Sequence, residues 1–221
     1  MDNKNSYKIE PIFPLGVYIV DIGQKFNKIF LNLDKENIIK PASYDTHGAH
    51  SENTYILNKL IFKDLKNLIL SHCKNYGINV LGVYSEEWVM TQSWITIKPP
   101  QIKHDFHVHP NSVISGVLYY GDQNEDTPGI NFKNTYNVFD VRTSMNIRYQ
   151  NDKNINYNKF NTRLMKMKFK PNTFVLFPSY LSHGVDINNS KKPRKSLAFN
   201  VLPKTLGHHR ELTELKLDNY E

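Results

Sequence analysis

Cysteine is nearly absent: Cys73 is the one thiol in 221 residues. A lone cysteine cannot close an intramolecular disulfide, which excludes a disulfide-stapled secreted scaffold and points to a reducing compartment. Long apolar runs are missing as well. No stretch approaches the roughly 18–20 residues that cross a bilayer. The start, Met1-Asp2-Asn3-Lys4-Asn5-Ser6, lacks the basic residues and apolar run of an export signal. The expectation is a cytoplasmic protein without a membrane partner. Internal repeats and low-complexity linkers are also lacking, so residues 1–221 are expected to form one domain around one core.

What is present supports a packed core. Apolar residues make up 39% of the chain, with 13 Tyr and 12 Phe, too many for a disordered polymer. The formal charge is +7, but most lysines alternate with Asn, Asp and Glu instead of forming blocks. They read as a solvated surface, and nucleic acid is not an expected partner. The basic group Lys191-Lys192-Pro193-Arg194-Lys195 is read the same way, apart from Arg194. Neither an oligomeric state nor a primary substrate is specified by the pattern.

Periodicity divides the chain into three parts: support over 1–87, a β core over 88–203 and a tail over 204–221. An opening strand is expected over 8–20. Ile56, Leu60, Ile61, Leu65, Leu68, Ile69 and Cys73 fall at helical spacing, which predicts one long amphipathic helix over 56–76 with Gly77 as its C-cap. From Trp88 the period changes to two, stopped by Pro99-Pro100. Further strands are expected at 113–120, 131–132, weakly around 145–149, then 164–169, 173–177 and 195–202. Turn signals separate them at 121–124, 127–129 and 170–172. The fold class is therefore an all-β core with flanking helices, a jelly roll or double-stranded β-helix of the cupin-like kind.

The chemistry concentrates in His104-Asp105-Phe106-His107-Val108-His109-Pro110. In an extended strand residues two apart share a face, so His107 and His109 can present two imidazoles to one metal, with Asp105 on the same face and His104 on the other. Among nine histidines such a spacing also arises by chance. A third ligand is offered by His183, just past the apolar run Thr173-Phe174-Val175-Leu176-Phe177, with Gly184 permitting close backbone approach. Eleven residues on, Arg194 and Ser196 share a strand face and offer a guanidinium and a hydroxyl to one carboxylate. Asp105 and His104 are minor alternatives as ligands. His47, His50 and His208-His209 read as surface loops. Trp88 and Trp94, separated by an even number, are expected on one strand face and packed in the core, with Trp94 or Thr96 as the alternative pocket wall.

The chain resembles the 2-oxoglutarate and Fe(II)-dependent oxygenases, and within them a subfamily found in marine bacteria and phages. The resemblance rests on His107-Val108-His109-Pro110-Asn111-Ser112, Ile114-Ser115-Gly116-Val117-Leu118-Tyr119-Tyr120, Phe177-Pro178-Ser179-Tyr180-Leu181-Ser182-His183-Gly184-Val185 and Arg194-Lys195-Ser196-Leu197-Ala198-Phe199-Asn200. The opening Ile9-Glu10-Pro11-Ile12-Phe13-Pro14 is similar too. It implies that His107 and His183 ligate Fe(II), that Arg194 clamps the far carboxylate of 2-oxoglutarate, and that Tyr119 and Ser196 assist. It implies dioxygen as a further substrate and hydroxylation of an unidentified one. His109 departs from the family pattern, which places Asp or Glu there.

Two other readings stand beside it. A cupin-like three-histidine dioxygenase would need no 2-oxoglutarate, though Val113 and Ile114 occupy the places where cupins carry Glu. A non-catalytic metal-binding jelly roll is the third. The segment 121–172, rich in Asn and Tyr, is expected to form the substrate loop or lid.

Overall fold

A computed structural model describes residues 14–135, 162–208 and 212–217. The early part of the strand expected over 8–20, the weak strand at 145–149, His209 and much of the expected cover over 121–172 lie outside the described residues.

In chain order the strands are β1 (Tyr18–Asp21), β2 (Ile38–Ile39), β3 (Ala49–Ser51), β4 (Trp88–Lys98), β5 (His104–His107), β6 (Ile114–Tyr119), β7 (Ile130–Lys133), β8 (Leu164–Met167), β9 (Thr173–Pro178), β10 (His183–Val185), β11 (Arg194–Pro203), β12 (Thr205–Leu206) and β13 (Leu215–Lys216). The helices are α1 (Asn27–Phe30), α2 (Tyr44–His47) and α3 (Lys63–Tyr76). Seven strands pair in the order β1-β9-β6-β11-β4-β3-β2, and four in the order β5-β10-β7-β8. The last two form a small separate hairpin. All pairings between these strands are antiparallel. This is the expected double-stranded β-helix: a large and a small sheet face to face, with α3 outside.

The central strands of the large sheet are buried on both faces, so each alternates between two cores. Leu118, Phe174, Leu176, Leu197, Phe199 and Val201 face outward and pack with Leu65, Ile69, Cys73 and Tyr76 of α3. Val117, Tyr119, Val175 and Phe177 face inward and pack with Ile130 and Phe132 of the small sheet. Burying Cys73 pushes its thiol pKa up. The lone cysteine is therefore a core residue, in keeping with its helical context.

Three expectations are corrected. The helix does not run from 56 to 76. Two short 3-10 turns, Ile56–Asn58 and Leu60–Phe62, precede α3, because Lys59 is extended between them (ψ 137°) and swings Leu60 out to 84% exposure. Gly77 is not a left-handed cap. It keeps right-handed helical angles and packs on the Trp88 ring, which a Cβ would meet at 2.4 Å. The chain turns instead at Gly82, with φ 67°.

Trp88 and Trp94 also lie on opposite faces of β4. The β4–β11 register runs Asn200 to Gln92 but Val201 to Met90, leaving Thr91 as an extra residue. Such a bulge reverses side-chain parity. Trp88 and Met90 thus join the outer core with Ile95, whereas Trp94 faces inward.

Candidate metal centre

Two neighbouring strands of the small sheet, β5 and β10, bring His107, His109 and His183 together. His107 ends β5 and His183 begins β10, directly opposite each other in the register. His109 follows two residues later, with its backbone N–H held 2.9 Å from the Ser179 carbonyl. One nitrogen from each ring lies within 4.8 Å of the other two. The His107 and His109 Nε2 atoms are 3.2 Å apart. Two nitrogens each bound at about 2.1 Å to one ion lie roughly 3.0–3.4 Å apart, so the pair is already spaced for a shared metal.

The tautomers follow from the partners. His107 Nδ1 donates to the Asp105 carbonyl at 2.9 Å, and His183 Nδ1 to the Leu181 carbonyl at 2.9 Å. His109 Nδ1 donates to Asn200 Oδ1 at 2.6 Å. Each acceptor requires a proton on Nδ1 and leaves a lone pair on Nε2, the arrangement seen in metal-ligating histidines. Burial holds the rings neutral: it lowers the pKa of His107 to about 4 and that of His183 to about 3, and lowers that of His109. Metal ligation requires neutral imidazole, so the centre is ready at neutral pH.

Asn200 belongs to a polar chain inside the sheet. Ser115 Oγ is 3.0 Å from Asn200 Oδ1 and 2.9 Å from Ser179 Oγ, which lies 2.8 Å from Ser112 Oγ. Asn200 closes the Arg194–Asn200 motif of the sequence without a role expected for it, although its even spacing from Arg194 and Ser196 puts it on their face of β11. Asn200→Ala is expected to weaken metal affinity by about 10–100-fold, because His109 then loses the acceptor that orients its ring. A metal titration checks this, and unchanged affinity would remove Asn200 from the site.

Asp105 is not a ligand in this arrangement. Its carboxylate pairs with Lys103 at 2.8 Å and is half exposed, and only its backbone oxygen serves the site. The simple parity argument fails at β5. His183 opposes His107 while Val185 opposes His104, so β5 holds one residue more than β10 over this span. The bulge turns His104 onto the His107 side, with ring centroids 4.3 Å apart and nearly parallel. His47 packs edge-on against His104 at 4.9 Å. Both are half-buried beside the centre, and so is His50 in β3. The surface-loop reading of His47 and His50 is thereby corrected. Gly184 performs its expected role, since a Cβ there would meet the His104 carbonyl at 2.7 Å.

Arg194, Tyr119 and Ser196 also converge. Ser196 opposes Tyr119 on one side and Thr96 on the other. The Arg194 guanidinium stands 5.1 Å over the Tyr119 ring and donates from Nε to the Pro128 carbonyl and from NH1 to Ser196 Oγ, each at 3.0 Å. These contacts use two of its five N–H groups and leave donors for a carboxylate. Arg194 is 2% exposed, and no Asp or Glu is buried among the described residues. The Tyr119 hydroxyl is buried without a hydrogen-bond partner. Burial raises its pKa against the pull of Arg194, so it stays a donor at neutral pH. A buried cation beside an unpartnered donor fits an anionic ligand.

A cleft of about 590 Å³ opens beside the triad, with Gln92, Trp94 and Thr96 along one wall and His50, Tyr55 and Asn111 along others. Trp94 lies 5.7 Å from the His109 ring, which places it in the expected pocket wall.

The double-stranded β-helix thus carries three convergent imidazoles that could hold a metal ion and, on its large sheet, a buried Arg194–Tyr119–Ser196 group. Residues 92–200 match a family described as "Putative 2OG-Fe(II) oxygenase". No curated protein sequence matches the chain. Its fold is shared with a 2OG-Fe(II) oxygenase family oxidoreductase from Burkholderia pseudomallei, at 11% identity and TM-score 0.56 over 84% of this chain and 85% of that one. A prolyl-4-hydroxylase from Pseudomonas putida aligns at 12% identity and TM-score 0.53, over 84% and 92%. HygX from Streptomyces hygroscopicus, solved with nickel and 2-oxoglutarate, aligns at 10% identity and TM-score 0.57, over 86% and 83%. The family match covers just under half of the chain, the solved structures share its fold, and the three histidines form a group that could hold a metal ion. Among the described residues no helix is long and apolar enough to cross a membrane.

Proposed function

We propose that the protein is an Fe(II)- and 2-oxoglutarate-dependent dioxygenase that couples oxidative decarboxylation of 2-oxoglutarate to hydroxylation of a second substrate in the cleft beside Trp94. The observation that carries this reading is the presence of two features inside one sandwich: three Nε2 atoms fixed by their Nδ1 partners, carried by the small sheet and the segment after β5, and the buried Arg194–Tyr119–Ser196 group with donors to spare, carried by the large sheet. His107, His109 and His183 hold the metal. Arg194, Tyr119 and Ser196 receive the far carboxylate of the oxo acid. The HxH…H order is the one that resembles the marine bacterial and phage subfamily.

Bound Fe(II), with the oxo acid and dioxygen, supplies the oxidative chemistry. The protein's own residues supply position and charge. Three neutral imidazoles leave the metal its full positive charge, which a dianionic oxo acid offsets; a carboxylate in place of His109 would make the same complex anionic. The guanidinium fixes the other end of the acid, so both ends are held before the second substrate arrives.

The all-imidazole ligand set also favours a second reading, a three-histidine dioxygenase that uses no oxo acid. One experiment separates them. Anaerobic protein is titrated with Fe(II) and then 2-oxoglutarate while the visible spectrum is followed, and succinate is assayed after oxygen is admitted. A visible charge-transfer band that appears only with both additions, and succinate release that needs iron, oxo acid and oxygen, are the expected results. Iron binding with neither band nor succinate would favour the second reading.

A further inference from the structure

Two of the three metal ligands stand on or just after β5, the end strand of the small sheet, which pairs only with β10 among the described residues. One flank of β5 therefore has no strand to steady it. His109 is tied to the large sheet directly, because its Nδ1 donates to Asn200 of β11 at 2.6 Å. His107 has no such bond. Its Nδ1 donates to the Asp105 carbonyl of β5 itself, and its link to the large sheet runs through three successive contacts that start at Lys98.

Lys98, the last residue of β4, is fully buried. A buried amine is costly without a partner, and its Nζ donates to the His47 carbonyl at the end of α2. Gly48 comes next, with φ 73°. A Cβ there would meet the Ile97 carbonyl at 2.5 Å and Lys98 Cδ at 2.8 Å, so only glycine lets the chain pass this close to β4. The His47 ring is fixed in turn. Thr46 Oγ1 donates to the Ser43 carbonyl at 3.1 Å and so accepts from His47 Nδ1 at 2.7 Å. The ring stands edge-on to His104, with centroids 4.9 Å apart and planes at 76°. His104 in turn lies on the His107 ring at 4.3 Å and 22°. Edge-to-face and stacked contacts are the geometries aromatic pairs prefer. The His104 ring has no hydrogen-bond partner among the described residues, so its ring contacts are what hold it.

We propose that Lys98 is a positioning residue for the metal centre: through the His47 carbonyl and the His47–His104 ring pair it braces the His107 imidazole from the large sheet. This rests on the assignment of His107 as a ligand in the oxygenase reading. His104 then acts as a flat spacer between two rings and not as a ligand, and α2 is the arm that presses it into place. The centre is thereby tied to both adjacent strands of the large sheet, to β11 through Asn200 and to β4 through Lys98.

The test is nitrogen–proton correlation spectroscopy of the histidine rings in the Zn(II)-loaded, 15N-histidine-labelled protein, which reports each ring separately, together with the rate of Zn(II) release to a chelator. Lys98→Met keeps the length of the side chain and removes its donor. The His104 and His107 ring signals should move or broaden while those of His109 and His183 stay in place. Zn(II) release should quicken by about 3–10-fold, less than the about 10–100-fold that follows loss of a ligand's direct hydrogen-bond partner. His104→Ala should do the same without touching Lys98, so it decides the matter if Lys98→Met fails to fold. His104→Phe keeps a flat ring and should restore the wild-type His107 signal; a phenylalanine variant that behaves like the alanine one would overturn the spacer role. Ile69→Ala in α3 is the control, because it loosens the outer core without contact to the brace. It should lower the melting temperature and leave His107 unmoved. A His107 signal that Ile69→Ala shifts as far as Lys98→Met, or that neither Lys98→Met nor His104→Ala shifts, would overturn the brace and leave the metal centre intact. If Zn(II) moves none of the three ligand rings in wild type, the metal centre fails and this proposal with it.

Discussion

His183→Ala is expected to lower Fe(II) affinity by at least about 100-fold and to remove iron-dependent turnover. The expectation follows from position. His183 is 5% exposed, opposes His107 across the β5–β10 ladder, and presents Nε2 because Leu181 fixes its Nδ1 proton. Without it, His107 and His109 remain as two ligands on neighbouring segments, and the metal loses its anchor on the opposite strand. Removing a group that merely orients a ligand costs about 10–100-fold, so removing the ligand itself should cost more. His183 also packs against Phe177 at 4.6 Å, so truncation leaves a void. His183→Gln keeps most of that volume and should show the same metal loss with a smaller fall in melting temperature. His104→Ala supplies the contrast. Its ring stacks on His107 but lies outside the convergent set, so metal affinity should stay within about 10-fold. Anaerobic titration with Co(II) or Fe(II) measures all three, and wild-type affinity in His183→Gln would mean that the ion sits elsewhere.

The sequence made much of this site legible because β alternation is a strong local rule. It placed Arg194 and Ser196 on one face of β11, and β9 with its two-sided apolar run correctly preceded the third histidine. The same rule misled wherever a bulge intervened. Thr91 reverses β4, sending Trp88 outward and Trp94 inward, and the extra residue in β5 carries His104 to the His107 side. A bulge adds one residue to one strand of a pair, and its position is set by the partner strand rather than by local composition. Single-strand periodicity does not contain it.

Other omissions have a different origin. Lys98 looks like the ordinary polar end of a strand, since the helix α2 and strand β3 that bury it come from a stretch, 43–51, with little apolar patterning. His47 and His50 were misplaced for the same reason. Leu60 and Ile61 carry a helical spacing that Lys59 interrupts, and their exposure shows that spacing alone does not guarantee burial. The overall architecture was easier to read than these details because it rests on many strands, each only weakly informative but mutually consistent.

Acidification from pH 7 to about pH 4 is expected to destabilise the metal-free protein by roughly 5 kcal/mol, a large share of the 5–15 kcal/mol typical of a folded domain. His107 and His183 have folded pKa values of about 4 and about 3, below the ordinary 6.5, chiefly because burial disfavours the charged ring. His104 is shifted the same way. Between pH 6.5 and these lower values the unfolded chain binds protons that the folded protein does not, so stability rises with pH across that window. The full stability is present above about 6.5 and is lost as pH falls toward 4. One pKa unit is worth about 1.4 kcal/mol, and part of the His183 shift comes from His107, so their contributions do not simply add. Zn(II), a redox-silent ligand for neutral imidazole, stabilises the folded form by mass action and should move the acid transition to lower pH. The combined His107→Gln and His183→Gln variant removes both titrating rings and should flatten the apo dependence. Melting temperatures recorded from pH 7 to pH 4, with and without Zn(II), decide the issue. An apo profile that stays level over that range would show the histidines to be far more solvated than this buried triad requires.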